Sequence, residues 1–182
     1  MNADGTNKVQ ITKNEGGMPV FVSPDGHWIY FVSGLHQTVW RVSSEGGDET
    51  QVSSDRVTAP AFSRDGKYFA YFFRNQNDRR MLIAVESLDT KERVKTFALA
   101  DDTFAQGRIA WLSDNRSFYY ITTNGSNSEL WRQSLDSNGP PKLLADMGKE
   151  EVSNFVLAAD DNTFALVRGN WIYEAVLIEG LK

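Results

Sequence analysis

The chain has 182 residues, with 19 Lys and Arg against 24 Asp and Glu, a net charge of -5, 41% hydrophobic residues and 12% aromatic ones. That balance fits an ordinary globular domain and lacks the basic face a nucleic-acid footprint needs, so no nucleic-acid partner is expected. Without cysteine there are no disulfides, thiolate metal sites or cysteine nucleophile, and no run of about 18 apolar residues is present, so no membrane insertion is expected.

The polar start, Met1 to Lys8, does not read as a signal peptide. Lys8-Val9-Gln10-Ile11-Thr12 follows as a short strand, and Gly5 to Pro19 aligns without a gap on Gly46 to Pro60. A second block repeats behind each proline. Its copies are Phe21-Val22-Ser23-Pro24-Asp25-Gly26 with an aromatic run to Phe31, and Ala61-Phe62-Ser63-Arg64-Asp65-Gly66 with a run to Tyr71. Trp111-Leu112-Ser113-Asp114-Asn115 begins a third copy, and Leu157-Ala158-Ala159-Asp160-Asp161 a degraded fourth.

Asp25, Asp65, Asp114 and Asp160 are spaced by 40, 49 and 46 residues, the period of a four-stranded blade. Within each period a short apolar strand meets an Asp-Gly or Asp-Asn turn, where Gly or Asn accepts positive φ. An aromatic strand follows, then a third strand (Thr38–Val42, Met81–Val85, Glu129–Gln133), and then a more polar fourth. No helical stripe intervenes. The fold expected is therefore all-β: a β-propeller of four blade-equivalents, each of four antiparallel strands. Residues 1–18 supply an outer strand that completes the last blade. Residues 19–59, 60–107 and 108–153 form full blades, and 154–182 a three-stranded last blade ending in Ala175-Val176-Leu177-Ile178.

Ser23-Pro24-Asp25-Gly26 with its aromatic strand, followed by Val39-Trp40-Arg41, resembles the repeat of TolB-like, WD-like propellers. The same repeat occurs in the propeller domains of prolyl-oligopeptidase-type peptidases. It also occurs in propellers fused behind bacterial kinases and winged-helix regulators, whose ending is similar to Ala165–Gly169 and Glu174–Ile178. The resemblance covers nearly the whole chain and implies the fold. It says little of function, because many activities share the repeat. It implies a periplasmic or extracytoplasmic location. Three arrangements stay open: part of a longer propeller, four blades closing on themselves, or a head-to-tail homodimer forming an eight-bladed ring.

No catalytic residue, cofactor or metal site is expected. His27 sits in a turn position that Lys67 and Arg116 fill elsewhere, and His36 lies in a loop with no second His at metal spacing. No Gly-x-Ser-x-Gly elbow occurs. The repeated aspartates suit hairpin turns, and Asp101-Asp102 and Asp160-Asp161 read as solvated turns. Trp40 and Trp131 share one repeat position and are expected between blades, while Trp171 stands outside the pattern, at the surface.

Propeller geometry places a binding site on the loops joining one blade's outer strand to the next blade's inner strand: Asn14–Gly17, Asp55–Thr58, Ala105–Arg108 and Glu151–Asn154. Glu15, Arg56, Arg108 and Asn154 are the candidate residues there, with the two arginines suited to an acidic peptide or carboxylate. The expected function is a non-catalytic module that binds a protein or peptide, or acts as a scaffold. The alternatives are the gating propeller of a prolyl-oligopeptidase-like peptidase and a sugar- or metal-binding propeller.

Overall fold

A computed structural model describes residues 4–99, 103–124 and 127–169. Asp101-Asp102, Trp171 and the expected strand Ala175–Ile178 lie outside the described residues. The described residues hold fourteen strands and no helix.

The first sheet is β1 (Gly17–Val22), β2 (Trp28–Ser33), β3 (Val39–Ser43) and β4 (Thr50–Gln51), hydrogen-bonded in that order. The second is β5 (Thr58–Phe62), β6 (Tyr68–Arg74), β7 (Met81–Ser87) and β8 (Arg93–Ala98). The third is β9 (Thr103–Trp111), β10 (Ser117–Asn124), β11 (Asn127–Ser134) and β12 (Lys142–Asp146). The fourth shows β13 (Glu151–Leu157) and β14 (Phe164–Gly169). All pairings are antiparallel. Four consecutive meandering sheets make this a β-propeller architecture.

The repeated aspartate builds each inner turn. Asp25, Asp65, Asp114 and Asp160 all accept backbone N–H bonds from residues two or three further on, for instance Asp114 from Arg116 at 2.8 Å and Ser117 at 2.7 Å. The next residue takes positive φ each time: Gly26, Gly66, Asn115 and Asp161. Asn115 and Asp161 thus do the work of glycine, as short polar residues tolerate αL. The hydrogen bonds from Ser23 and His27 hold the Asp25 carboxyl below its usual range, and Thr163 and Asn162 do the same for Asp160.

The core is divided among the seams. Phe69, Tyr71 and Ala84 of the second sheet pack on Tyr30 and Val39 of the first. On its other face Ala70, Phe72, Ile83 and Val85 pack on Ile109, Trp111, Phe118 and Tyr120 of the third. Tyr119, Ile121 and Leu130 then meet Val152 and Phe155 of the fourth. The period-2 alternation of β6 and β10 thus feeds two neighbours at once, which is why these strands are apolar throughout. Polar contacts stitch the same seams. The Trp111 indole donates to the Ala61 carbonyl at 2.9 Å, and Asp161 accepts from Ser113 N–H at 2.8 Å and pairs with Arg64 at 2.9 Å.

Lys8–Thr12 belongs to no strand. This segment instead runs to the first sheet, where the Glu49 carboxylate collects the backbone N–H groups of Lys13, Asn14 and Glu15. Burial acts to raise the Glu49 carboxyl, but those N–H groups outweigh it and hold it below its usual range. The last-blade strand that this segment is expected to complete, Ala175–Ile178, lies outside the described residues.

Candidate functional site

Each inner strand carries a register shift near its start. The shifts fall between Pro19 and Phe21 in β1, Thr58 and Ala61 in β5, and Val152 and Asn154 in β13; in β9 the shift is opposite Tyr120 and Ile121. Such bulges bend a strand and re-aim its ends. The meander order of each sheet puts the outer-to-inner connections and the hairpins between second and third strands on one face.

On that face the first two sheets meet. Val57 N–H donates to the Gln37 carbonyl at 2.8 Å, and the Arg56 guanidinium donates to Gln37 Oε1 at 2.7 Å. Beside them Asn75 caps its own turn, accepting from Asn77 N–H at 2.9 Å. These loops surround a cleft of about 750 Å³ whose walls include Gln37, Asp55, Arg56, Asn75, Asn77 and Arg93. A second cleft, of about 640 Å³, opens on the other side of Arg56, between Glu15, Leu35, His36 and Trp40. Arg56 and Ser54 line both clefts.

A polar cluster underlies the larger cleft. The Tyr71 hydroxyl contacts Glu86 at 2.5 Å and Asp55 at 3.1 Å, while Arg93 binds Asp55, Tyr71 at 3.0 Å and Glu86 at 3.3 Å. The Arg93 guanidinium also lies over the Phe73 ring, 4.8 Å from its centre. Burial, then the hydrogen bond and charge of Glu86, push the Tyr71 hydroxyl far up, so it stays protonated and donates. The cluster joins loop, strand and outer strand across a seam. Glu86 breaking the apolar run Met81–Val85 was its one sequence signal.

The four candidate residues fall in two groups. Glu15 lies with Arg56: its carboxylate accepts from Ser33 Oγ at 2.8 Å and sits 3.8 Å from His36 Nε2. Arg108 and Asn154 lie on β9 and β13, on strands and not on the expected loops. Arg108 is exposed and matches Ala59, which holds φ 49° at the bulge of β5. Asn154 is half-buried, with no hydrogen-bond partner for its Oδ1 among the described residues. Gly107 and the polar run beside it read as a turn because a bulge interrupts strand alternation. Trp131 packs in the seam between the second and third sheets. Trp40 instead alternates away from Val39 and lines the smaller cleft, as no described sheet packs on that face. The Arg56 guanidinium can pair with a carboxylate, and the amide groups of Gln37, Asn75 and Asn77 beside it can donate and accept hydrogen bonds.

A family model described as the prolyl oligopeptidase N-terminal β-propeller domain matches residues 12–167. Similar solved structures include a putative TolB from Agrobacterium tumefaciens, with 17% identity and a TM-score of 0.61, covering 82% of this chain and 53% of that one. TolB from Acinetobacter baumannii gives 21% identity and a TM-score of 0.58, over 80% and 36% of the two chains. A prolyl endopeptidase gives 13% identity and a TM-score of 0.62, over 85% of this chain and 24% of that one. No curated protein matches. The chain spans about half the length, or less, of the solved chains it resembles.

Proposed function

Because the chain belongs to the prolyl oligopeptidase N-terminal β-propeller family, we propose that it is a non-catalytic module that binds a peptide segment of a partner protein in the loop-face cleft. Arg56 carries this reading. It stands between two clefts, oriented by Gln37, so that a carboxylate entering from either side meets a fixed guanidinium. Fluorescence anisotropy with a panel of labelled acidic peptides tests it. A binder should lose about tenfold or more in affinity in Arg56→Ala, the loss of one charge-assisted contact. A panel without binders, or binders indifferent to Arg56→Ala, overturns it.

The family match also favours a second reading, a propeller that gates a peptidase. A reading frame that runs on past Lys182 into a serine-nucleophile domain would support it, and a different downstream domain would remove it. The TolB likeness supports an extracytoplasmic location, tested by fractionating the source cells. Association into a head-to-tail dimer is the third element of the proposal. Its support is the pair of exposed apolar side chains on the fourth sheet, Val156 at 57% and Val167 at 61% exposed. Light scattering should give twice 20.5 kDa, whereas a mass of 20.5 kDa at all concentrations excludes the dimer.

A further inference from the structure

A cavity of about 360 Å³ lies in the seam between the second and third sheets, walled by Leu99, Tyr120, Glu129, Trp131, Pro140 and Pro141. The repeat explains it. Tyr120 follows Asp114 by six residues, as Tyr71 follows Asp65, and each tyrosine turns towards the preceding sheet. Gln133 pairs with Phe118 as Glu86 pairs with Phe69, so Gln133 stands where Glu86 stands. Glu86 in turn faces Arg93 across the β7–β8 ladder. In the third sheet the ladder ends at Arg132 facing Lys142, and the residue before Lys142, on the side towards Gln133, is Pro141. The third sheet therefore repeats the tyrosine and its polar neighbour but has proline where the second has the guanidinium.

Two polar groups are left over. Tyr120 is 2% exposed and its hydroxyl has no hydrogen-bond partner among the described residues, although Tyr71 at the same place has three. Gln133 is also 2% exposed, and its Oε1 is buried without a partner. A buried amide oxygen left unpaired is costly, and the Tyr120 side chain lines the cavity. Glu129, in the cavity wall, forms no ion pair among the described residues. The cation nearest in sequence on β8, Lys95, is committed elsewhere, to the carbonyls of Leu135 at 2.8 Å and Ser137 at 2.7 Å. Trp131 is fixed by its indole donating to Thr122 Oγ1 at 2.9 Å, and Tyr120 and Trp131 supply aromatic surface.

We propose that this seam pocket binds a guanidinium group, an arginine side chain of a partner inserting where the second sheet uses its own Arg93. The hydroxyl of Tyr120 and the carboxylate of Glu129 accept its N–H groups, and the aromatic walls cover its planar face. The site is separate from the loop-face cleft and does not depend on it.

The test titrates the full chain with Nα-acetyl-arginine amide, propylguanidinium and the neutral isostere Nα-acetyl-citrulline amide, following the Trp131 indole N–H by NMR. Both guanidinium probes should shift it at millimolar concentration, with the citrulline probe weaker by about tenfold. Tighter binding of the amide than of propylguanidinium would identify a peptide as the source. Glu129→Gln, an isosteric change at a half-buried residue, should weaken both cations about fivefold or more with an unchanged melting temperature. Pro141→Arg should fill the pocket in cis and abolish probe binding. Equal binding of the citrulline probe, no shift at about 50 mM probe, or a folded Pro141→Arg that binds like the wild type would each overturn the assignment.

Discussion

Replacing Arg93 with methionine keeps most of the side chain's apolar reach and removes its charge. Asp55, Tyr71 and Glu86 then lose their common donor, and Glu86 is left with the Tyr71 hydroxyl as its contact in the cluster. Breaking a fully buried ion pair from one side costs about 3–5 kcal/mol. The Arg93 side chain is 36% exposed and Glu86 8%, so water screens part of the effect, and about 2 kcal/mol is expected. For a chain of this size that lowers the melting temperature by about 4–8 °C. Urea unfolding of the wild type, Arg93→Met, Glu86→Gln and the double variant would measure it. The double variant should cost less than the sum of the two single ones by at least about 0.5 kcal/mol, since both sever one network. An Arg93→Met stability within about 0.5 kcal/mol of the wild type, or strictly additive costs, would refute the view that this cluster clamps the first seam.

Three further perturbations probe other links. Gly66 holds φ 70°, and a methyl there would come 2.7 Å from the ring of Pro24 in the first sheet's turn. Gly66→Ala should therefore cost about 1–3 kcal/mol in denaturant unfolding, while Gly26→Ala meets only the φ penalty and costs less. Trp131→Ala, at a half-buried seam position, should cost about 3 kcal/mol in the same assay. The Glu49 clasp should loosen with acid. Its carboxyl is held below the ordinary 4.5, so its contribution is fully present above that value and fades as the pH falls through the lower folded value. Hydrogen exchange should show the amides of residues 13–15 deprotecting below pH 4.5 ahead of the seams, and already at pH 7 in Glu49→Ala.

The repeat was legible because its chemistry is local. Asp25, Asp65, Asp114 and Asp160 announce hairpins through contacts two or three residues away, and even Asp160-Asp161 keeps the turn without glycine. The aromatic strands were legible because a two-sided seam forces an apolar run. Long-range placement was not. Arg108 lies on β9 where a bulge breaks the alternation that marks a strand, so its run has the pattern of a loop. Spacing likewise does not announce that Glu49, more than thirty residues away, takes the N–H groups of Lys13, Asn14 and Glu15 just after the N-terminal strand-like segment. The Tyr71 cluster was invisible for a related reason: Asp55, Glu86 and Arg93 come from separate elements and meet only when two sheets stack. Comparing Arg93 with Pro141 needs the strand register, which spacing alone does not supply.

An amide NMR titration of the full chain with an acidic peptide tests the loop-face reading most directly. The account predicts shifts clustered at Gln37, Ser54 to Thr58 and Asn75 to Asn77, around Arg56. Shifts confined to the opposite face, at the turns of Asp25, Asp65, Asp114 and Asp160, or spread without focus, would contradict it.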